Sequence, residues 1–460
     1  MRWPDHAIWW HVYPLGFVGA ERAAPSLDEP PSAQPPSVQP PSVQPPSAAS
    51  SAPEAVQGES RLARIAGWLD HLIALGCNGL ALGPVFASET HGYDTVDHFR
   101  IDPRLGDEAD LLKLVEQASE RGVRVLLDGV FNHVGRSFPA FTDAAARGAA
   151  SPYAGWFDPD GQGDFRTFEG HHRLVALNHA EPQVADYVTD VMTYWLERGV
   201  DGWRLDAAYA VPTDFWKTVT DRVRARFPDA WLVGEVIHGD YAGIVERAGF
   251  DSVTQYELWK AIWSSLNDRN LFELAWALGR HDEMLTTFAP QTFLGNHDVT
   301  RIASRLDDER YLAHALVVLL TIGGIPSIYS GDEFGFHGIK EEREGGDDAI
   351  RPSFPERPEE TPGYGRPYHR LHQDLIGLRR RHPWLVRART TKATLTNTAL
   401  SYTVGSGSDR LAVVLNLADE PAEVDLPSAV WTCVAGEAAF SADGAVVPRA
   451  GWAIAETSHP

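Results

Sequence analysis

The hydrophobic pattern of the chain alternates between two periods. Short apolar runs occur at 8–14 (IWWHVYP), 78–85 (NGLALGPV), 122–130 (GVRVLLDGV), 200–206 (VDGWRLD), 231–236 (WLVGEV), 291–296 (QTFLGN) and 326–331 (PSIYSG). None of them turns every second residue to water, which is how strands of a parallel sheet covered on both faces read. An eighth and weaker run falls near 250–255. Between the runs the period is helical. Leu62, Ile65, Leu69, Leu72 and Leu75 repeat along 60–76 as one helix that stops at Gly76. The segment 107–122 opens with acids and closes on Gly122, and 182–199 opens with Pro182 and closes on Gly199. Further helical patterns cover 213–227, 311–324 and 369–383. Eight strands, each followed by a helix, predict an α/β chain folded as a (β/α)8 TIM barrel.

Three segments depart from a minimal barrel. Residues 21–58 hold a five-residue repeat, PPSAQ, PPSVQ, PPSVQ and PPSAA, which favours extended or disordered chain and cannot pack a core. The connection 134–181 is too long for a strand–helix loop and carries Tyr153, Trp156 and Phe157, which predicts a small excursion domain. From 384 to 460 the helical period disappears and short strands separated by turns predict a C-terminal antiparallel β-sandwich. The catalytic barrel is thus expected in 1–133 and 182–383.

The chain has 460 residues, with 40 Lys and Arg against 63 Asp and Glu, a formal charge of −23. So acidic a surface repels phosphate backbones, and no nucleic-acid partner is expected. The two cysteines, Cys77 and Cys433, make neither a disulfide framework nor a metal cluster. The N-terminal residues lack the unbroken apolar stretch of a signal peptide and no window is long enough to span a bilayer, so no membrane partner and a cytoplasmic location are expected.

The chemistry collects where the apolar runs stop. Asp206 closes the fourth run, Glu235 the fifth and Asp298 the seventh, while the third ends at Asp128, Asn132 and His133. Polar groups at the C-terminal ends of barrel strands are where such folds place their active sites. Arg204 and Asp206, two apart on a strand, project to one side. An arginine so placed is expected to hold Asp206 ionised, as a nucleophile requires. Glu235, flanked by Val233 and Val236, is expected in apolar surroundings and near other anions, both of which raise its pKa, as a general acid requires. A nucleophile and an acid on neighbouring strands, about 5–5.5 Å apart, describe retaining glycoside hydrolysis.

DGVFNH (128–133), GWRLDAA (202–208), GEV (234–236) and LGNHD (294–298) resemble, in order, the four signature segments of glycoside hydrolase family 13, the α-amylase family. HGYDTVDHFRIDPRLGDEADL (91–111) and IYSGDEFG (328–335) are similar to further segments of that family. The resemblance implies a retaining α-glucan or malto-oligosaccharide hydrolase with Asp206 as nucleophile, Glu235 as acid/base and Asp298 gripping the sugar hydroxyls. It further implies that Arg204 orients Asp206, His133 and His297 bond the bound sugar, Tyr93 stacks on it and Asp128 supports the site. Tyr209 and Ala210 stand where many members carry a Lys-His pair, LVALNHAEPQV (174–184) holds an LN-containing segment, and GGDDAIRPSFP (345–355) follows strand eight. These features resemble the neopullulanase and cyclomaltodextrinase branch and implicate small linear or cyclic oligosaccharides. The first strand begins at about residue 8, so that branch's extra N-terminal β-domain is not expected, and the donor pocket is shaped by 134–181 or by a dimer partner. Asp348 and Arg351 either clamp a donor sugar or pair with each other. Asn132 matches a calcium-binding position of many members, yet the other ligands lie in a longer excursion than this one; no cofactor is required, and structural calcium is the weaker expectation. The protein is expected as a monomer or homodimer. A transglycosylase with the same residues is the alternative, and an inactive carbohydrate-binding protein the remote one.

Overall fold

The computed structural model describes residues 3–20, 60–161, 163–343, 345–361, 363–407 and 409–457. The Pro-rich repeat lies outside them. Eight parallel strands form the barrel: β1 (Trp9–Val12), β2 (Gly79–Leu82), β3 (Arg124–Gly129), β4 (Gly202–Leu205), β5 (Trp231–Gly234), β6 (Ser252–Val253), β7 (Gln291–Phe293) and β8 (Ile325–Tyr329). They pair in the order β6-β5-β4-β3-β2-β1-β8-β7. A parallel bridge between Thr254 and Gln291 brings β6 to β7 and nearly closes the ring. The two-residue β6 explains why its run was the least legible.

Alternation along each strand divides its residues between the barrel interior and the helices. Trp9 lies inside and stacks on Trp231, with centroids 5.3 Å apart. Ala81, Leu126, Val233 and Ile325 fill the same inner cluster. Trp10 and Trp203 face outward; Trp10 stacks on Trp68 at 6.0 Å, and Trp203 donates its indole N–H to Met192 O at 3.3 Å. Such aromatic pairs add about 0.5–1.5 kcal/mol beyond their burial.

The helix Glu108–Glu120 begins on a reciprocal capping box between Asp107 and Asp110. Pro182–Leu196 starts with its proline in the first turn. The segment 60–76 departs from its expectation. It forms two helices, Leu62–Ala66 and Leu69–Leu75, rather than one. The break at Gly67 and Trp68 carries the Trp68 ring against Trp10, Phe17 and Phe354, a packing that outweighs helical continuity.

After β3 the chain leaves the barrel through the strand His133–Gly135, which pairs antiparallel with Leu174–Ala176. Between them lie the helix Pro139–Arg147 and an aromatic cluster in which Phe141 meets Phe157 and Phe165 at 5.2 and 5.1 Å. At the C-terminal end Thr390–Leu395, Ala399–Ser406, Asp409–Asn416, Trp452–Thr457 and Trp431–Gly436 form a five-stranded antiparallel sheet. Ala422–Asp425, Gly444–Val447 and Ala439–Phe440 form a three-stranded sheet against it. Leu411, Val413 and Leu415 join the barrel core, whereas Ala412 and Val414 cluster with Val424 and Val447 of the smaller sheet. Period-two alternation thus sends one side of the strand to each neighbour.

Candidate active site

The strand register sets the site. Asp128 on β3 lies opposite Arg204 on β4, and Arg204 lies opposite Val233 on β5. One step beyond, Asp206 N donates to Gly129 O at 3.0 Å and Glu235 N to Leu205 O at 2.9 Å. Both carboxylates therefore leave adjacent strand ends on one rim.

Arg204 is the hub. Its Nη1 donates to both Asp128 oxygens at 2.7 and 2.6 Å and to Asp206 Oδ1 at 3.1 Å. Its Nη2 meets Glu235 Oε1 at 2.8 Å. One guanidinium thus serves three buried carboxylates. Glu235 further accepts from Tyr256 Oη at 3.1 Å and from the Ala207 backbone N–H at 3.0 Å. Asn296 donates to Tyr256 Oη at 2.8 Å and keeps that hydroxyl turned toward Glu235. Ala207 reaches Glu235 because its backbone is left-handed, with φ 45. That conformation costs a residue with a Cβ about 1–2 kcal/mol. Its place immediately after Asp206 fits the concentration of backbone strain at functional sites.

This geometry corrects one electrostatic expectation. Burial pushes Asp206 well above the usual carboxylate range; Arg204 pulls it down, but Glu235, Asp128 and Asp298 push it up again. The arginine expected to lower the pKa of Asp206 is shared three ways and does not hold Asp206 low. Around Glu235, three polar donors reach the carboxylate.

The opposite wall is built on β7. His297 Nε2 lies 2.9 Å from Asp298 Oδ2, and His297 Nδ1 lies 3.2 Å from His11 Nε2. Arg351 donates through Nε to His297 O at 2.9 Å and through Nη2 to Asp298 Oδ1 at 3.0 Å. Against the upward pull of burial, His297, Arg351 and Arg204 hold Asp298 well below the usual carboxylate range. Tyr93 links the two walls: its hydroxyl donates to Asp128 Oδ2 at 3.1 Å and also meets His297 Nε2.

Eight of the ten expected residues, Asp206, Glu235, Asp298, Arg204, Asp128, Tyr93, His297 and Arg351, thus form one continuous polar network. His133 stands at its edge, stacked on Phe168 at 4.7 Å. Burial lowers its pKa to about 3, which leaves a neutral imidazole. Asp348 is exposed, and besides Asp298 the Arg351 guanidinium meets Asp347, at 2.9 Å. Arg351 therefore braces Asp298 from behind. His11, Tyr13 and Tyr256 belong to the network and were not read from the sequence; Asn296, inside the LGNHD segment, joins it through Tyr256. Tyr13 stacks on His297 at 5.6 Å and lies under the Arg351 guanidinium at 4.4 Å. Only the polar interruptions in two otherwise apolar stretches, His11 to Tyr13 and Gln255 to Tyr256, could have signalled them. At Asn132 the side-chain amide faces His133 Nδ1 at 3.1 Å, and among the described residues no three His, Cys, Asp or Glu side chains converge as a metal set.

The profile of the alpha-amylase catalytic domain matches residues 49–169 and 160–399. A cyclomaltodextrinase of Geobacillus thermopakistaniensis is 33% identical over 379 residues, which is 78% of this chain and 62% of that protein. Neopullulanase 2 of Thermoactinomyces vulgaris is 33% identical over 334 residues, 69% of this chain and 55% of that protein. The chain therefore spans less than two thirds of the length of these relatives. Among solved structures, a cyclic alpha-maltosyl-(1→6)-maltose hydrolase from Arthrobacter globiformis superposes with a TM-score of 0.79 at 26% identity, covering 100% of both chains.

Proposed function

Since the chain belongs to the α-amylase family of glycoside hydrolases, we propose that it is a retaining hydrolase of α-glucosidic bonds in malto-oligosaccharides, linear or cyclic. The observation that carries this reading is the pair of carboxylates on one guanidinium: Asp206 on Nη1 and Glu235 on Nη2 of Arg204. Asp206 attacks the anomeric carbon while Glu235 gives its proton to the departing glycosidic oxygen. The aglycone leaves as an alcohol and the sugar remains esterified to Asp206. Glu235, now a carboxylate, takes a proton from water, whose oxygen attacks the same carbon and releases Asp206. Asp298, held ionised, faces the positive charge that develops on the sugar and accepts from its hydroxyls. Tyr93, His133 and His297 complete the sugar pocket.

Support for the substrate class comes from the relatives, named for cyclomaltodextrins, pullulan and cyclic maltosyl-maltose. Among the described residues no helix is long and apolar enough to cross a membrane. We place the enzyme in the cytoplasm, acting on small oligosaccharides as a monomer or homodimer. The test is the product profile on maltotriose, panose, pullulan and cyclodextrins. Hydrolysis predicts that maltotriose yields only shorter sugars and that cyclodextrins open. Products longer than the substrate indicate transfer, and release from none of the four contradicts the reading.

Asp206 must be ionised to attack, and burial raises its pKa. The acid limb of kcat/KM therefore lies above the ordinary carboxylate range, and activity is lost as pH falls through it. Asp128→Asn removes one neighbouring anion and leaves more of Arg204 to Asp206. It is expected to move that limb to lower pH in a kcat/KM profile. An unmoved limb, or one moved upward, contradicts the electrostatic account.

A further inference from the structure

The excursion reaches back over the site at one turn, Phe168–Gly170. Phe168 lays its ring on His133, 4.7 Å away and within 14° of parallel. The next residue, Glu169, has left-handed backbone, with φ 49 and ψ 28, although it carries a Cβ. Its carboxylate is exposed, yet it accepts a hydrogen bond from Tyr209 Oη at 2.8 Å. Tyr209 sits in the turn that follows Asp206, and its backbone N–H donates to Glu235 O at 3.2 Å. Its hydroxyl feels the charges of both Glu235 and Asp206. The bond between Glu169 and Tyr209 therefore ties the excursion to the strand end that bears the acid/base. An exposed hydrogen bond adds little to stability, about 0.5–1.5 kcal/mol, which does not by itself account for an unfavourable backbone at its acceptor.

We propose that Glu169 and Tyr209 form a specificity-determining bridge on the leaving-group side of the cleft, which selects short or compact α-glucans over long linear chains. This rests on the reading of Asp206 and Glu235 as the catalytic pair. A retaining acid/base stands beside the bond it protonates, so the leaving sugar departs along the side on which Glu235 and Tyr209 lie. A chain continuing past the cut meets the bridge, whereas a trisaccharide ends before it. Phe168 on His133 fixes the near end of the same turn over the sugar pocket. The selection acts through binding beyond the scissile bond and appears in KM for long chains more than in kcat.

The test compares the parent with Tyr209→Phe, Glu169→Ala, Glu169→Gln and the Tyr209→Phe/Glu169→Ala double variant. Each is assayed for kcat and KM on maltotriose and on long linear amylose. Tyr209→Phe keeps the ring and removes the bond; Glu169→Gln keeps an acceptor for the hydroxyl. The expected result is a rise of about tenfold in the amylose-to-maltotriose ratio of kcat/KM in each bond-breaking variant, the size one charge-assisted hydrogen bond supports. The double variant should show no further rise, and Glu169→Gln should stay near the parent. A parent active on both substrates with the ratio unmoved in both single variants, or with fully additive effects, overturns the bridge alone. A parent inactive on every α-glucan overturns the reading beneath it.

Discussion

Glu235→Gln is expected to lower kcat on malto-oligosaccharides by about 10²–10⁴, the usual contribution of a positioned general acid–base group. That corresponds to about 2.7–5.5 kcal/mol of transition-state stabilisation. The amide is nearly isosteric, and its one oxygen can keep the bonds from Tyr256 and Arg204 that Glu235 Oε1 now accepts, while its NH2 replaces the Oε2 that accepts from the Ala207 N–H. Substrate binding should therefore survive, and the loss should appear in kcat. The size of the loss should follow the leaving group. An aryl maltoside whose phenol departs without a proton needs no acid in the first step, so its glycosylation is slowed little. The second step still lacks its base, and a burst followed by slow turnover is expected. Stopped-flow and steady-state assays on maltotriose and the aryl substrate separate the two cases. Equal losses on both, without a burst, would mean that Glu235 is not the proton donor.

Arg204→Met has the second large effect, on stability as well as rate. Asp128, Asp206 and Glu235 are all buried, and Arg204 bonds to each. Removing one partner of a buried ion pair costs about 3–5 kcal/mol, because the remaining charge keeps its desolvation penalty. Here three carboxylates lose the same cation. They can escape the penalty only by taking up protons, and Asp128 and Asp206, which burial already raises above the ordinary carboxylate range, move further above their unfolded values. The folded variant then binds more protons than the unfolded chain, and its stability falls as pH rises. Thermal unfolding should therefore show a small deficit relative to the parent in mild acid and a larger one above neutrality, together with near-complete loss of activity. A variant as stable as the parent in mild alkali would show that Arg204 is not the common counter-ion.

The strands and their catalytic ends were legible because burial on both faces forces continuous apolar runs, and an acid that interrupts such a run is conspicuous. Asp206, Glu235 and Asp298 stand out in this way. The network around them was less legible because its members come from distant elements. Tyr256 begins a helix after β6, and His11 is a polar residue within β1. Neighbourhood in sequence also misled. Arg204 two residues from Asp206 suggested a pair that lowers the pKa of Asp206, whereas the register opposite Asp128 and beside β5 shares the guanidinium among three carboxylates. Asp347, which the sequence did not single out, meets Arg351 in the turn at 345–351. The apolar spacing through 60–76 was helical, but it could not foretell that Trp68 would be drawn into the Trp10 and Phe354 cluster and break the helix.

The central claim is that Asp206 forms a covalent bond to the sugar within reach of Glu235. Intact-mass and peptide mapping of Glu235→Gln, quenched during turnover of the aryl maltoside, tests it most directly. The account predicts a mass gain of one maltosyl group on the peptide that contains Asp206. An unmodified protein during active turnover, or an adduct on another carboxylate, would contradict it.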